Sequence, residues 1–181
     1  MSEVIDIKDK VNDVFEIEEE FIVDDDEEWD MGSLNHSIAQ AQITTLLGSD
    51  KRFQVMVELS LEASQIDLTQ FGIKAKDELK PDICLYPNTV KGKRRDILRM
   101  SEMPLLAIEI VSPTQSNESL VAKFDAYFAL GVKSSWLVIP TVKSIAVYSQ
   151  PDTFKMFDLN DIDVIDEVLD IKLPLLDIFE W

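Results

Sequence analysis

Apolar positions recur along the first half of the chain with helical and then with strand periodicity. Residues 32–49 (GSLNHSIAQAQITTLLGS) predict a helix that Ser33 or Asn35 caps and that Gly48 ends. The next segment, 52–64 (RFQVMVELSLEAS), alternates apolar and polar residues, so it predicts a strand with one buried face.

The second half of the chain combines short apolar runs with one long helical pattern. A helix is predicted over 112–131 (SPTQSNESLVAKFDAYFALG), where Gly131 is the C-terminal stop. The tail, 161–181, is expected to dock on the body as a strand and a final turn. Strands are predicted at 81–87 (PDICLYP), 105–111 (LLAIEIV), 134–140 (SSWLVIP) and 144–150 (SIAVYSQ), the last two as a hairpin or as neighbours.

The predicted order is helix, three strands, helix and two strands. No repeat or low-complexity linker divides it. We therefore expect residues 1–181 to form a single α/β domain with a mixed central sheet flanked by helices, in which residues 1–30 are an acidic N-terminal extension.

A glutamate interrupts the most apolar of these strands, LLAIEIV. An ionised carboxylate is rarely buried alone, because the lost hydration costs several kcal/mol or shifts its pKa. Glu109 therefore needs an opposite charge, a metal ion, or water that reaches into the sheet.

Two other residues offer Glu109 a partner. Asp82 lies at the entry of the preceding strand, and strands about 4.8 Å apart can bring two carboxylates onto one divalent ion, Mg²⁺ or Mn²⁺. Lys123, in an apolar region of the following helix, can deliver its ammonium to the same point. Such a group is suited to phosphodiester cleavage. The residues leave open the alternative that Glu109 pairs with a lysine or arginine for structure alone.

The net charge of −18 is unevenly distributed along the chain. Residues 1–30 contribute −12, residues 31–50 contribute −1 and residues 151–181 contribute −7, whereas residues 51–150 carry +2. The total argues against a generic nucleic-acid binder, whose affinity comes largely from phosphate neutralisation. The one dense basic cluster, KGKRRDILR at 91–99, lies between the two acidic motifs and is a candidate for phosphate contacts.

Residues 13–30 hold eleven acids and no base. A solvated acidic strand or loop is the simplest interpretation. A docking segment for a basic partner, a mimic of nucleic-acid charge, and a built-in inhibitor of the basic cluster remain open. The odd-numbered apolar positions between residues 15 and 23 would let part of the segment pair as an edge strand.

The rest of the composition excludes several classes of protein. One cysteine, Cys84, and one histidine cannot build a Cys/His zinc site, and the chain has neither a glycine-rich phosphate loop nor a nucleophile elbow. No apolar run approaches the roughly 20 residues that span a bilayer, and the start has no signal-peptide pattern. A single cysteine suggests a reducing compartment, so we expect a cytoplasmic protein that does not bind membranes.

A longer pattern joins these residues: PD, then EIVSP, then KxxxY, then GVxxxWLV. The stretch KPDICLYP…PLLAIEIVSPTQSNESLVAKFDAYFALGVKSSWLVIP…SIAVYS resembles the Uma-two family of proposed endonucleases, once a domain of unknown function, in the PD-(D/E)xK restriction-endonuclease-like superfamily. The likeness covers residues 81–148, and a weaker one extends to the first helix and the LPLLDIF tail. It implies a restriction-endonuclease-like αβββαβ core.

The resemblance also implies roles for individual residues. Asp82 matches the aspartate of the PD motif, and Glu109 matches the (D/E) position. The superfamily's lysine two places later is absent, because that position is Val111, and Lys123 in the following helix takes its place. The backbone carbonyl of Ile110 is implied as a third metal ligand.

Two further residues, Glu58 and His36, are implied at the rim of the site. For His36 alone, a capping or structural role is favoured. The function implied is a Mg²⁺- or Mn²⁺-dependent endonuclease acting on DNA, and a homodimer, because one small nuclease domain cuts one strand. The alternative is a non-catalytic interaction protein that kept the fold and lost the chemistry. The expected phosphate contacts are Lys91, Lys93, Arg94, Arg95 and Arg99.

Overall fold

The computed structural model describes residues 32–75, 77–113 and 117–181 of the chain. Three α-helices and ten strands lie along these residues, and two short 3-10 helices, Leu68–Phe71 and Pro140–Val142, lie between them. In chain order the elements are α1 (Leu34–Ser49), β1 (Phe53–Val57), β2 (Leu61–Glu62), β3 (Glu78–Leu79), β4 (Ile83–Pro87), β5 (Leu106–Ile110), α2 (Asn117–Leu130), β6 (Ser134–Ile139), β7 (Ser144–Gln150), β8 (Thr153–Phe157), β9 (Asp163–Asp166), β10 (Ile171–Pro174) and α3 (Leu175–Phe179).

A six-stranded mixed sheet in the order β1-β4-β5-β6-β7-β8 forms the centre of the fold. Its strands pair antiparallel except β5 and β6, which run parallel and are joined by α2. A parallel pair needs a crossover of this kind, and the crossover helix covers one face of the sheet. The predicted mixed α/β fold is therefore confirmed, as is the predicted pairing of β6 with β7.

Two apolar cores lie on opposite faces of the sheet. On one face, Ile83 and Leu85 of β4 pack with apolar residues of α1, α3, β9 and β10. On the other face, Cys84 and Tyr86 pack with those of α2. Because both faces are covered, the middle strands are buried throughout, which explains why β5 is almost continuously apolar.

Most helix ends lie close to the predicted ones, but α2 begins at Asn117, five residues after the start predicted at Ser112. Ser33, one of the two predicted caps of α1, accepts a hydrogen bond from the backbone N–H of His36 at 3.3 Å. Gly131 follows α2 with φ of 100°, a conformation that glycine adopts without strain. Gly48 lies inside the last turn of α1, which ends at Ser49, so the predicted stop at Gly48 is wrong by one residue.

The strand predicted over 52–64 is divided into two. β1 ends at Val57, and Glu58 takes φ of 50° while its N–H donates to the carbonyl of Asp82 at 3.1 Å. The chain then leaves the sheet, and Leu61 begins β2, which pairs with β3. The alternation of the sequence continues across the break, so periodicity alone did not reveal it.

The tail forms the predicted strand and final turn as β10 and α3, while β8 and β9 are additional strands. Residues 32–181 make one compact unit. The predicted edge strand between residues 15 and 23 and the acidic extension lie outside the described residues. No helix within the described ranges is both long and apolar enough to cross a bilayer.

A fully buried carboxylate, Asp166, connects the β9–β10 hairpin to the central sheet. Its Oδ2 accepts from Ser134 Oγ at 2.6 Å and from Trp136 Nε1 at 2.9 Å. Its Oδ1 accepts from the backbone N–H groups of Val168 at 2.9 Å and Leu169 at 3.1 Å. Four donors thus satisfy the two oxygens, which offsets the cost of burying the charge.

We predict that Asp166→Ala lowers the free energy of unfolding by roughly 3 kcal/mol or more, because it leaves several buried donors without an acceptor. Urea unfolding followed by tryptophan fluorescence measures this change. The matched control is Glu167→Ala, since Glu167 is exposed and pairs only at the surface with Lys155. An equal effect of the two substitutions would contradict the structural role of Asp166.

Candidate active site

The antiparallel pairing of β4 with β5 sets Asp82 against Glu109. Ile83 pairs with Ile108, and one further step in the same register brings Asp82 opposite Glu109. Residues directly opposite each other on antiparallel strands project to the same face of the sheet, with Cβ atoms about 5 Å apart. Asp82 is 8% exposed and Glu109 is 2% exposed. Two nearly buried carboxylates therefore face each other at one end of the β4–β5 pair.

The side chain of Asp82 is held at both of its oxygens. The backbone N–H of Ile110 donates to Oδ2 at 2.6 Å, and His36 Nε2 lies 3.2 Å from Oδ1. Gln40, one helical turn after His36 on α1, donates to the backbone carbonyl of Asp82 at 3.0 Å. Helix α1 and strand β5 together fix the position of Asp82.

The side chain of Glu109 is also held at both oxygens, in this case from α2. Lys123 Nζ donates to Oε2 at 3.1 Å, and Tyr127 Oη donates to Oε1 at 2.6 Å. Lys123 and Tyr127 are four residues apart, so they lie on the same face of the helix. The contact that the sequence led us to expect between Lys123 and Glu109 is present.

Burial and neighbouring charges determine the protonation of Glu109. Burial raises the pKa of Glu109 from 4.5 to about 7; the charge of Lys123 lowers it, and that of Asp82 raises it. Burial, followed by the charge of Glu109, raises the pKa of Tyr127 well above 10. Tyr127 therefore keeps its proton near neutral pH and remains a hydrogen-bond donor to Glu109.

Asp82 and Glu109 have the donor chemistry of a site for a hard divalent cation. Both supply carboxylate oxygens, and an ionised carboxylate has about four lone-pair positions, so the observed contacts leave room for a ligand bond. Among the residues that the structure describes, no three His, Cys, Asp or Glu side chains form a ready metal cage. Mg²⁺ does not need one, because it keeps several waters and uses one or two carboxylates.

The two predicted rim residues differ in what their side chains contact. Glu58 is exposed, and its carboxylate lies 3.3 Å from Lys80 Nζ, although its backbone N–H bonds to Asp82. His36 is buried and reaches the Asp82 carboxylate. Of the capping or structural role expected for His36, capping of α1 falls to Ser33, and a structural role for His36 stays a prediction.

Sequence reasoning missed Tyr127 as a site residue. The KxxxY spacing was visible, and it indicates that the lysine and the tyrosine share a helix face. Val111, at the position of the superfamily's usual lysine, is half-buried just after β5 and bonds through its N–H to the carbonyl of Val138. The role of the Ile110 carbonyl as a metal ligand stays a prediction.

The basic residues 91–99 are all exposed. Arg99 pairs with Glu78 at 2.9 Å, and Lys91 donates to Asn88. Within the described part of the chain, the side chains of Lys93, Arg94 and Arg95 make no hydrogen bond or ion pair. Three of the five predicted phosphate contacts are therefore cations without an ion-pair partner among the residues that the structure describes.

The loop that carries these residues begins at the end of β4 far from Asp82 and then turns back. The N–H of Met100 donates to the carbonyl of Ser60 at 2.8 Å, and the carbonyl of Met100 accepts from Glu62 at 2.9 Å. Ser60 is two residues from Glu58, whose N–H bonds to Asp82. The loop thus returns toward the start of β4, where Asp82 lies.

Comparison with known proteins adds to this geometry. The family model Uma2, described as "Putative restriction endonuclease", matches residues 25–174. The chain belongs to the Uma2 family. The match spans Asp82, Glu109, Lys123 and Tyr127, and the predicted Uma-two membership is confirmed.

The Uma2 chain is also similar in fold to a solved structure. This is the crystal structure, at 1.96 Å resolution, of a putative nuclease belonging to DUF820 from Anabaena variabilis ATCC 29413. The two share 20% sequence identity over 82% of each chain, with a TM-score of 0.62. No protein with a curated description matches the chain. The structural similarity therefore shows a nuclease fold.

The raised pKa of Glu109 predicts that the protein without metal loses stability as pH rises. The folded value of about 7 exceeds the ordinary 4.5, so the contribution of Glu109 is fully present below pH 4.5 and is lost as pH rises through 7. Between pH 5 and 8 we expect wild type to lose roughly 2 kcal/mol relative to Glu109→Gln, which cannot ionise. Urea unfolding in chelator at both pH values measures the difference.

The control for this comparison is Glu167→Gln, which removes the charge of an exposed glutamate. Its stability should follow wild type at both pH values. A constant difference between wild type and Glu109→Gln across this range would show that Lys123 and Tyr127 keep the carboxylate ionised throughout.

Proposed function

We propose that this protein is a Mg²⁺- or Mn²⁺-dependent endonuclease that hydrolyses phosphodiester bonds in DNA. The observation that carries the proposal is the convergence of a lysine ammonium and two facing carboxylates where β4 begins and β5 ends. Membership of a family described as "Putative restriction endonuclease" supports a nuclease-like function for that group.

Asp82 and Glu109 would hold the cation, and the backbone carbonyl of Ile110 would be a third protein ligand. When bound, the cation supplies a water of lowered pKa and neutralises charge on the scissile phosphate. The chain prepares for this by fixing both carboxylates: His36 and the Ile110 N–H hold Asp82, and Tyr127 holds Glu109. Carboxylates fixed in this way need little rearrangement before binding.

Lys123 supplies the fixed positive charge of the site. Its ammonium lies 3.1 Å from Glu109, and its side chain is partly exposed, so substrate can approach it. An ammonium beside the phosphate stabilises the negative charge that develops on its oxygens and on the attacking water. This role depends on where the ammonium nitrogen lies. A lysine on α2 can therefore fill it as well as a lysine near the end of β5.

The exposed cations Lys93, Arg94 and Arg95 would bind DNA phosphates beside the site. They lie in the part of the chain whose charge is slightly positive, away in sequence from its acidic ends. A homodimer would let two such sites cut both strands of a duplex. The single cysteine keeps the cytoplasm as the proposed location.

Cleavage of plasmid and single-stranded DNA with Mg²⁺ or Mn²⁺ tests the proposal. We expect Asp82→Ala and Lys123→Ala to reduce the rate by roughly 100-fold or more, because each removes a charge that acts in the transition state. Lys155→Ala is the matched control, since Lys155 is an exposed lysine on β8, three strands from β5. It should cleave like wild type.

Equal cleavage by all four proteins would identify a contaminant and contradict the assignment. The acidity of both chain ends favours the alternative, a non-catalytic interaction protein with a nuclease fold. Absence of cleavage, together with no heat of binding for either ion at millimolar concentration, would support that alternative.

A further inference from the structure

The basic loop carries an exposed leucine among its cations. Leu98 is 87% exposed, and Arg95 and Arg99 lie three residues before it and one after it. Its neighbour Ile97 is also partly exposed. An aliphatic side chain so open to water gains nothing from the fold, so its burial is available to a partner.

The two ends of the loop are fixed to the body of the protein. At the start, Asn88 donates two hydrogen bonds to the turn before β1: its N–H to the carbonyl of Arg52 at 2.9 Å, and its side chain to the carbonyl of Lys51 at 2.6 Å. At the end, Met100 bonds on both sides to the chain around β2. The loop therefore presents Leu98 from an anchored base.

An apolar cavity of about 220 Å³ lies beneath the loop. Ile97 lines it, as do Met56 of β1 and Leu59, and Lys91 and Lys93 stand on its border. Ile97 of the loop thus faces the cavity, whereas Leu98 is exposed to water.

We infer that Leu98 is a wedge that inserts between neighbouring base pairs of duplex DNA. This inference rests on the proposed function and adds how the duplex is held. Proteins that deform DNA insert an apolar side chain such as leucine into the base stack while cations hold the phosphates on either side. Lys93, Arg94 and Arg95 are the cations in question, and they carry no partner within the described residues.

The charge around Leu98 favours duplex DNA over other occupants. Within the described residues, Lys93, Arg94 and Arg95 have no ion-pair partner, and residues 91–99 hold five bases against one acid, Asp96. These cations complement a polyanion that also offers apolar surface, and stacked bases are that surface. Elsewhere the chain exposes Ile162 to a similar extent, 83%, but between Asp161 and Asp163, where a polyanion would be repelled. Ile162 is therefore a matched control for exposure without the cations.

The test is binding to a short duplex that contains 2-aminopurine, whose fluorescence rises when it is unstacked, in EDTA so that no cleavage occurs. For wild type we expect binding with a rise in fluorescence. Leu98→Ala should bind roughly tenfold more weakly and lose most of the rise, because it cannot fill the gap between bases. Leu98→Met should restore both, and Ile162→Ala should match wild type.

The salt dependence of affinity separates the wedge from the phosphate contacts. Leu98→Ala should keep the wild-type slope, whereas the double variant Arg94→Ala, Arg95→Ala should reduce the slope by roughly 2 and keep the fluorescence rise at saturation. Because Leu98 is exposed, the thermal midpoint of Leu98→Ala should equal that of wild type.

The outcomes distinguish this inference from the proposed function. Binding by wild type with no fluorescence rise, or an equal rise with Leu98→Ala, would overturn the wedge and leave the nuclease proposal standing. Failure of wild type to bind the duplex even at low salt would overturn the wedge, while the cleavage assay in Mg²⁺ or Mn²⁺ tests the nuclease proposal separately.

Discussion

Burying the carboxylate of Glu109 in the sheet constrains every element around it. Glu109 on β5 is only 2% exposed, so α2 must supply hydrogen-bond donors to its carboxylate. Both Lys123 and Tyr127 do so. The start of β4 places Asp82 opposite Glu109, and the negative charge of Asp82 raises the pKa of Glu109 further. A carboxylate in these surroundings is only partly ionised near neutral pH, and a cation shared with Asp82 would favour the ionised form.

The parallel crossover explains how a lysine on a helix can serve the site. Strands β5 and β6 run parallel, so α2 must lie over one face of the sheet to connect them. Glu109 points to that face, and one turn of α2 therefore lies above it. Val111 can remain an apolar residue after β5 because the ammonium comes from Lys123 instead.

Much of this arrangement was predictable, because it depends on residue spacing along single elements. Apolar periodicity indicated the helices and most strands, and a lone glutamate in LLAIEIV indicated a polar partner. Lys123 could be chosen because an apolar helix face with one lysine delivers that lysine to the sheet.

Contacts that depend on the path of the chain in three dimensions were not predictable. The break at Glu58 comes with its left-handed backbone, φ of 50°, and alternation continues across it. The contact of His36 with Asp82 depends on how α1 crosses the sheet, which periodicity does not specify. The return of the basic loop to Ser60 is likewise set by main-chain bonds at Met100, which any residue could make.

The central claim is that Asp82 and Glu109 together hold one divalent cation. A crystal soaked in Mn²⁺ and measured at a wavelength where manganese scatters anomalously tests it most directly. The account predicts one anomalous peak about 2.1 Å from an oxygen of each carboxylate, with Lys123 still beside Glu109. If both carboxylates are well ordered and keep their present contacts, and no anomalous peak appears between them at millimolar Mn²⁺, the claim is contradicted.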